Sequence, residues 1–365
     1  MFYRAIGLMS GSSLDGLDIA FVEFQEQGGK WTYEIKAADC LPYEEGWAER
    51  LKNAIHLSAL DYQLLHTSYG HYLGKKVNEF IDAKKLHYQV GLVSSHGHTT
   101  FHLPQQGMTG QIGDGAAIAA ETGLPVVSDL RAVDVAFGGQ GAPIVPIGEK
   151  LLMPEYDYFL NIGGIANISV NREDYVAFDV CPANRVLNML ANEAGKAFDE
   201  GGAMAAGGQL NTELLDKLNA LDYYAKPWPK SLANDFGTDV VYPLIKSAGC
   251  TVADALHTFS EHVAIQVSNS VKALRFERRA TSNGQLLITG GGALNTHLVN
   301  RIAAQVAAHH IDVVVPEAAL VNYKEAIIMA FIGVLRWRQE KNVLASVTGA
   351  RRDSVGGALW MGTEG

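Results

Sequence analysis

Apolar and polar positions run in an order that occurs twice along this chain. In the first half an apolar run, 6–9, meets the polar turn Ser10-Gly11-Ser12-Ser13-Leu14-Asp15-Gly16, and a second run, 17–24, leaves it. Apolar runs bounded by Gly, Ser and Asp predict two strands of a hairpin. A second turn at 26–30 leads into an alternating third strand at 31–38. From 44 to 86, Leu51, Ile55, Leu60, Leu64, Leu65, Tyr72, Val77 and Ile81 recur at three- and four-residue spacing, which predicts helix. A buried strand at 89–95 ends in the polar tip 96–100. A short helix at 113–123 stops at Gly123, and 124–130 reads as another strand.

The second half repeats this order. A strand at 158–162 meets the turn 163–167, returns at 168–170 and continues as a third strand at 175–180. Helical patterns follow at 183–196, 209–222 and 251–279. A strand, a triple-glycine turn and a helix start occupy 285–295; a strand at 311–317 and a long helix at 323–340 complete the half. The halves share little identity, so the duplication rests on element order. Two like domains face to face would set the two polar turns on opposite sides of a cleft, which could grip a polyphosphate and close over it. The Gly-rich stretch 136–143 is the expected first crossing between them.

The first turn has the composition of an anion site. Gly11 and Gly16 permit positive φ, Ser10, Ser12 and Ser13 bring hydroxyls, and successive backbone N–H groups can form a nest. Asp15 would repel a bare phosphate, so it points to a bridging cation or a positioned water. A plain soluble hairpin tip is the competing reading.

Composition narrows the class. With 365 residues, 48% of them apolar, the chain can bury two cores. Its 29 basic against 39 acidic residues give a formal charge of −10, which argues against nonspecific nucleic-acid binding or attachment to an anionic membrane. The basic stretch 275–280 reads as a solvated helix end. Cys40, Cys181 and Cys250 are too far apart for a disulfide framework or a metal pattern. The amino terminus enters a strand directly, without a signal-peptide core, and no apolar run reaches roughly 18 residues. A soluble, reduced, cytoplasmic protein is expected.

Single residues stay ambiguous on position alone. His96, His98 and His102 lack a zinc pattern, so hydrogen bonding or contact with a ligand is the better reading. Asp129 and Arg131, just after a strand, either pair or reach a substrate. Glu325 at the head of an apolar helix suits the helix dipole. Asp179, at a strand end, would serve as a helix cap or as a reactive carboxylate. No Walker A lysine motif occurs.

Eight stretches carry a resemblance: GLMSGSSLDGLD (7–18), SHGHTTFHLP (95–104), IGDGAAIAAETGLPVVSDLR (112–131), GGQGAPIVP (138–146), LNIGGIANIS (160–169), FDVCPAN (178–184), LLITGGGALN (286–295) and VTGARRDSVGGA (347–358). In this order, across nearly the whole chain, they resemble the anhydro-N-acetylmuramic acid kinases of peptidoglycan recycling, within the actin, hexokinase and Hsp70 superfamily. The resemblance implies an α/β fold of duplicated RNase H-like domains, each a mixed five-stranded sheet flanked by helices, with a cleft between them. Domain I would be 1–135 plus 345–365, and domain II 136–344.

It also implies the chemistry. Water would attack the anomeric carbon of the anhydro sugar while the oxygen released on carbon six takes the γ-phosphoryl group of ATP, giving N-acetylmuramic acid 6-phosphate. Asp179 would be the general base. Gly11, Ser12, Ser13, Leu14, Asp15, Gly16, Leu17 and Asp18 would form the ATP phosphate loop, Gly163 and Gly164 the opposing loop, and Gly290, Gly291 and Gly292 would lie by the nucleoside. His96, Thr99, Asp129, Arg131 and Glu325 would contact the sugar, and Asp15 would hold Mg²⁺. The partners implied are ATP and a small sugar, with no nucleic acid and no membrane, and a homodimer is the expected assembly. The chain departs from the family at Val180-Cys181, where Thr-Gly is usual. It departs again at Ala233, Asn234 and Asp235, after the matching Lys230-Ser231. A kinase of another amino sugar, or an ATP-gated binding protein without catalysis, would share the same fold.

Overall fold

The computed structural model describes residues 1–11, 14–228, 230–233, 235–274 and 283–362. Ser12, Ser13, Asn234 and the basic stretch 275–280 lie outside the described residues. The chain forms two units, Met1–Met153 with Tyr323–Gly365, and Pro154–Asn322. Their strands are β1 (Phe2–Ser10), β2 (Gly16–Gln27), β3 (Lys30–Pro42), β4 (Leu92–Leu103), β5 (Met108–Ile112), β6 (Val126–Ser128), β7 (Tyr158–Ile162), β8 (Ile165–Val170), β9 (Val176–Pro182), β10 (Gly284–Thr289), β11 (Ile311–Val314) and β12 (Ala358–Trp360).

In the first unit the strand order is β12-β6-β4-β1-β2-β3, with β5 paired to β4. The β1–β2 and β2–β3 pairs are antiparallel; β1–β4 and β4–β6 are parallel. In the second unit the order is β11-β10-β7-β8-β9, and the corresponding pairs run in the same senses. Setting aside β5 and β12, each unit keeps five strands with one order and one set of directions. This is the duplicated RNase H-like layout of the actin, hexokinase and Hsp70 class.

Burial explains why β1 reads as a continuous apolar run. Ala5, Ile6 and Leu8 are all buried because both faces of the sheet are covered, whereas edge strand β3 alternates. One cover is the helix Ala318–Trp337. A Cβ on Gly7 would collide with the Ala326 carbonyl oxygen and the Ala330 nitrogen, so strand and helix backbones meet there and only glycine fits. That helix, 20 residues long, is by length and composition apolar enough to cross a membrane. The linear sequence hid it because Lys324 and Glu325 interrupt the run. Ile327, Ile328, Phe331 and Ile332 are fully buried, as in a core helix.

Three expectations change. The helical stretch 44–86 splits into Trp47–Lys52, a 3-10 turn Ala54–His56, and the helix Ala59–Lys84. Leu57 and Ser58 are extended, and Ser58 caps the last helix by accepting the Asp61 N–H. Leu60 and Leu64, two of the helix-spaced leucines, are 70% and 60% exposed. The polar tip 96–100 is strand, because β4 runs on to Leu103 with β5 as its hairpin partner. Finally, 136–153 and 323–344 fall within the first unit. The Gly141 N–H donates to Asp134 Oδ2, the Gln140 N–H donates to the Thr348 carbonyl, and Lys324 pairs with Glu149.

Candidate active site

Ser10 pairs with Leu17, so the first turn closes at the end of β1; Gly16, Leu17 and Asp18 already belong to β2. Leu17 is buried in the core and offers a ligand only its backbone. The positive φ expected at Gly16 is found at Leu14 (+57°), whose N–H reaches the Gly11 carbonyl at 3.5 Å. Glycine is required at 16 for space, since a Cβ would lie 2.8 Å from both Cys40 Sγ and the Leu41 carbonyl oxygen. The Ser10 hydroxyl turns inward, 2.6 Å from the Tyr43 hydroxyl and 3.0 Å from His98 Nδ1. Tyr43 in turn lies 2.9 Å from the Tyr69 hydroxyl.

Asp18 gives this turn its electrostatics. Burial raises its carboxyl to about 6; the Cys40 thiol opposes the rise, and the charges of Asp15 and Glu325 add to it. No group of three or more His, Cys, Asp or Glu among the described residues forms a ready metal cage. A Mg²⁺ held by nucleotide phosphates needs only one or two carboxylates, and the hard oxygens of Asp15 and Asp18 are of that type. The raised carboxyl has a stability consequence. It titrates near 6 in the folded chain, above the ordinary aspartate range, so the folded state binds the extra proton: stability rises as pH falls through about 6 and is lost as pH climbs back. Asp18→Asn is expected to stabilise the nucleotide-free protein by about 1–2 kcal/mol near pH 8, after discounting for partial exposure, and by almost nothing near pH 4. Urea unfolding at both pH values checks this; an equal effect at each would remove burial as the cause.

The sugar-side candidates of the first unit form one network and two outliers. Arg131 Nε donates to His96 Nε2 at 2.8 Å, so the imidazole carries its proton on Nδ1, 2.9 Å from the Gly97 carbonyl. Burial, then the Arg131 charge, drive His96 down to about 3, and it stays neutral. Arg131 Nη1 donates to the Gly141 carbonyl at 2.6 Å. Burial lowers the guanidinium to about 10, against the pull of Glu325 and Asp134, so it keeps its charge at neutral pH. Glu325 thus acts on both Arg131 and Asp18, which joins the sugar candidates to the phosphate turn. Among the described residues Asp129 does not pair with Arg131; it accepts from Ser128 Oγ at 2.7 Å, with φ at +56°. Thr99 is exposed and takes a bond from Gln111 across the β4–β5 hairpin. His102 lies 3.0 Å from Thr109 Oγ1.

In the second unit the register itself builds the carboxylate site. Asn167 on β8 stands opposite Asp179 on β9, next to a bulge, and its Nδ2 donates to Asp179 Oδ1. Asp179 Oδ2 accepts the Leu232 N–H at 2.8 Å, the Asp179 N–H donates to the Lys230 carbonyl at 3.1 Å, and the Tyr223 hydroxyl donates to the Asp179 carbonyl at 2.6 Å. The helix Asn184–Glu193 has Ala183 as its N-cap with no side-chain cap, so capping is not what Asp179 does. Burial raises its carboxyl above the ordinary range, opposed by the Leu232 N–H and by Asn167. A half-buried carboxylate with one donor on each oxygen is oriented, and it still has lone pairs for a further proton donor.

The glycine turns lie at the carboxyl ends of parallel β7 and β10, where open α/β sheets receive ligands. Gly290 takes φ +80°, and a Cβ there would sit 2.7 Å from Asn161 Oδ1 and 2.8 Å from the Ile162 carbonyl. A Cβ on Gly292 would strike Ile162, and one on Gly291 would come no nearer than 3.6 Å to Asn184. Gly163 and Gly164 differ: their nearest contacts would be 3.6 and 3.8 Å, so the fold does not demand glycine there. Bare backbone at those two positions suits the close approach of something outside the chain. Their carbonyls accept from the Asn184 and Ala183 N–H groups at 3.0 and 2.9 Å, tying the turn to the start of the helix Asn184–Glu193.

Sequence reasoning missed Asn167, Tyr223 and Leu232 as partners of Asp179, and Asp134 and Gly141 as partners around Arg131. The signal for Asn167 was present, since it ends the GGIAN turn one hairpin away from Asp179; the contacts from 223 and 232 are long-range and left none.

The family model described as anhydro-N-acetylmuramic acid kinase matches residues 3–362. A curated protein named anhydro-N-acetylmuramic acid kinase from Shewanella amazonensis is 33% identical over 365 residues, covering 97% of each chain. One of the same name from Streptomyces coelicolor is 33% identical, covering 99% of this chain and 94% of that one. Among solved structures, the activator of the 2-hydroxyisocaproyl-CoA dehydratase from Clostridium difficile with bound ADPNP aligns over 90% of this chain and 94% of that chain, at 16% identity and a TM-score of 0.45.

Proposed function

The chain belongs to the anhydro-N-acetylmuramic acid kinase family, a family of ATP-using phosphotransferases with an alcohol acceptor, and from that premise we propose that it couples hydrolytic opening of the anhydro bridge to phosphorylation of the freed oxygen. Asp179 takes a proton from a water molecule, the water oxygen bonds to the anomeric carbon, and the bond from that carbon to the bridging oxygen breaks. The bridging oxygen, now on carbon six alone, bonds to the γ-phosphorus of ATP as ADP leaves, giving N-acetylmuramic acid 6-phosphate. The observation that carries this reading is the Asp179 carboxylate, half-buried, raised above its usual range, and fixed by Asn167 and the Leu232 N–H.

Phosphoryl transfer asks the protein mainly for position and charge compensation. The backbone at Gly11 and at Gly163-Gly164 is assigned to the phosphates, and Gly290 to Gly292 to the nucleoside. Asp15 and Asp18 would hold Mg²⁺, which neutralises charge on the transferring group. The coupled pair Arg131 and His96, with Glu325 nearby, would hydrogen-bond the sugar.

Oxygen-18 water tests the route. Product made in labelled water is expected to carry the label on the anomeric carbon and none in the phosphoryl group, read by mass spectrometry of fragments. Unlabelled product would exclude opening by water. A panel of amino sugars with ATP separates this substrate from another acceptor.

A further inference from the structure

The two buried lysines among the described residues, Lys76 and Lys324, are paired with acids. Lys76 lies 2.6 Å from Glu44 and 2.7 Å from Glu79, and Lys324 lies 2.8 Å from Glu149. Beside Asp179 the pattern stops. Lys230 is partly buried, donates to the Tyr223 carbonyl at 3.2 Å, and holds its ammonium 4.5 Å from the centre of the Tyr223 ring. Lys226 approaches the same ring at 5.9 Å. Among the described residues neither lysine has an ion-pair partner. Close by in sequence, Trp228 stacks under the Arg172 guanidinium at 5.2 Å, and the side chain of that arginine donates to the Asp174 backbone carbonyl.

This cationic face is bolted to the candidate base. The Tyr223 hydroxyl donates to the Asp179 carbonyl, and the Asp179 N–H donates to the Lys230 carbonyl. Burial disfavours the charged form of Lys230, Cys181 opposes that, and Lys226 repels it. In a chain of net charge −10, two ammonium groups converging on one ring without a carboxylate lack the compensation that every pair above has. A bound anion would supply it.

We propose that Lys230, supported by Lys226 across the Tyr223 ring, binds the carboxylate of an acidic amino-sugar substrate and so selects for it. The inference rests on the functional reading above, in which the sugar is opened beside Asp179: the same peptide link that fixes Asp179 carries the lysine. A nucleotide phosphate is the other anion available, and the two sources separate by experiment.

Steady-state kinetics would compare anhydro-N-acetylmuramic acid with anhydro-N-acetylglucosamine, which lacks the acidic substituent. Wild-type protein is expected to favour the acid. Lys230→Gln is expected to lower kcat/KM for the acid roughly 10- to 100-fold, mainly through KM, and to collapse the acid-to-neutral ratio. Lys226→Gln should do the same to a smaller extent, and Lys230→Arg should recover part of the ratio, which a merely structural lysine would not show. An unchanged ratio in folded Lys230→Gln, or a rise in KM for ATP in place of KM for the acid, overturns the inference. If Lys230→Gln does not fold, the Lys226→Gln and Lys230→Arg ratios decide in the same way. Wild-type protein that phosphorylates neither sugar overturns the functional reading and the inference together; a wild type active on the acid with unchanged variant ratios overturns the inference alone.

Discussion

Asp179→Asn is expected to cut turnover roughly 10²- to 10⁴-fold, the usual worth of a positioned general base, while ATP affinity changes less than about twofold. The amide keeps the volume of the carboxylate but cannot take a proton from water. It also changes the hydrogen bonds. Both Asp179 oxygens accept, one from Asn167 and one from the Leu232 N–H, whereas an amide offers one accepting oxygen and a donor. One of those donors loses its partner, at a cost of about 1 kcal/mol, partly offset because no charge is then held in a half-buried site. The variant should therefore stay folded.

The pH profile distinguishes a base from a merely structural carboxylate. Burial raises Asp179, so wild-type turnover should fall on the acid side with an inflection above the ordinary carboxylate range. The variant's residual activity should lack that inflection. Turnover at saturating ATP, ATP binding by calorimetry and a pH series check all three points. Near-normal turnover in the variant would remove Asp179 from the mechanism.

The duplicated sheet was readable because it depends on local signals. Each meander is three short apolar runs separated by Gly, Ser, Asn or Asp, and β7 falls on the residues the pattern marks, Tyr158–Ile162. What was illegible depends on contacts distant in sequence. The tip at His96 to Thr100 reads as loop, since only the return strand β5 makes it strand. The break at Leu57-Ser58 is hidden among helix-spaced leucines whose exposure no spacing reveals. The division between units is obscured because the Gly-rich stretch after Asp134 folds back on Asp134 and Thr348. At the site, residue types pointed to Asp179, Arg131 and Glu325, and the register supplied what holds them. Asn167 faces Asp179 only because one extra residue bulges β9, and His96 meets Arg131 only because β4 continues past its apolar part. Ser10 shows the reverse error: counted among the turn's hydroxyls, it closes β1 and turns inward.

Lys324→Met is expected to be the most destabilising single change, by about 3–5 kcal/mol, because it removes the lysine from an ion pair whose two side chains are both buried. Lys324 and Glu149 have 5% and 4% of their side chains exposed and meet at 2.8 Å. The pair joins the helix Pro146–Leu152 to the helix Ala318–Trp337, where a Cβ on Gly148 would already crowd Ile328. Replacing both partners by apolar residues of similar size, Lys324→Met with Glu149→Leu, takes away both halves of the buried pair together, so the double variant should recover most of the loss. The pair also fixes the helix turn that carries Glu325, the residue whose charge reaches both Arg131 and Asp18. Stability and activity should therefore part company in the double variant: its unfolding midpoint returns toward wild type, while its kcat/KM for the sugar stays reduced if Glu325 has lost its aim. Urea unfolding of both single variants and the double, with kinetics on the double, separates the two effects. Strictly additive destabilisation would show that the two side chains do not act as a pair. Full recovery of kcat/KM would show that Glu325 is positioned by the Gly7 and Gly148 contacts alone.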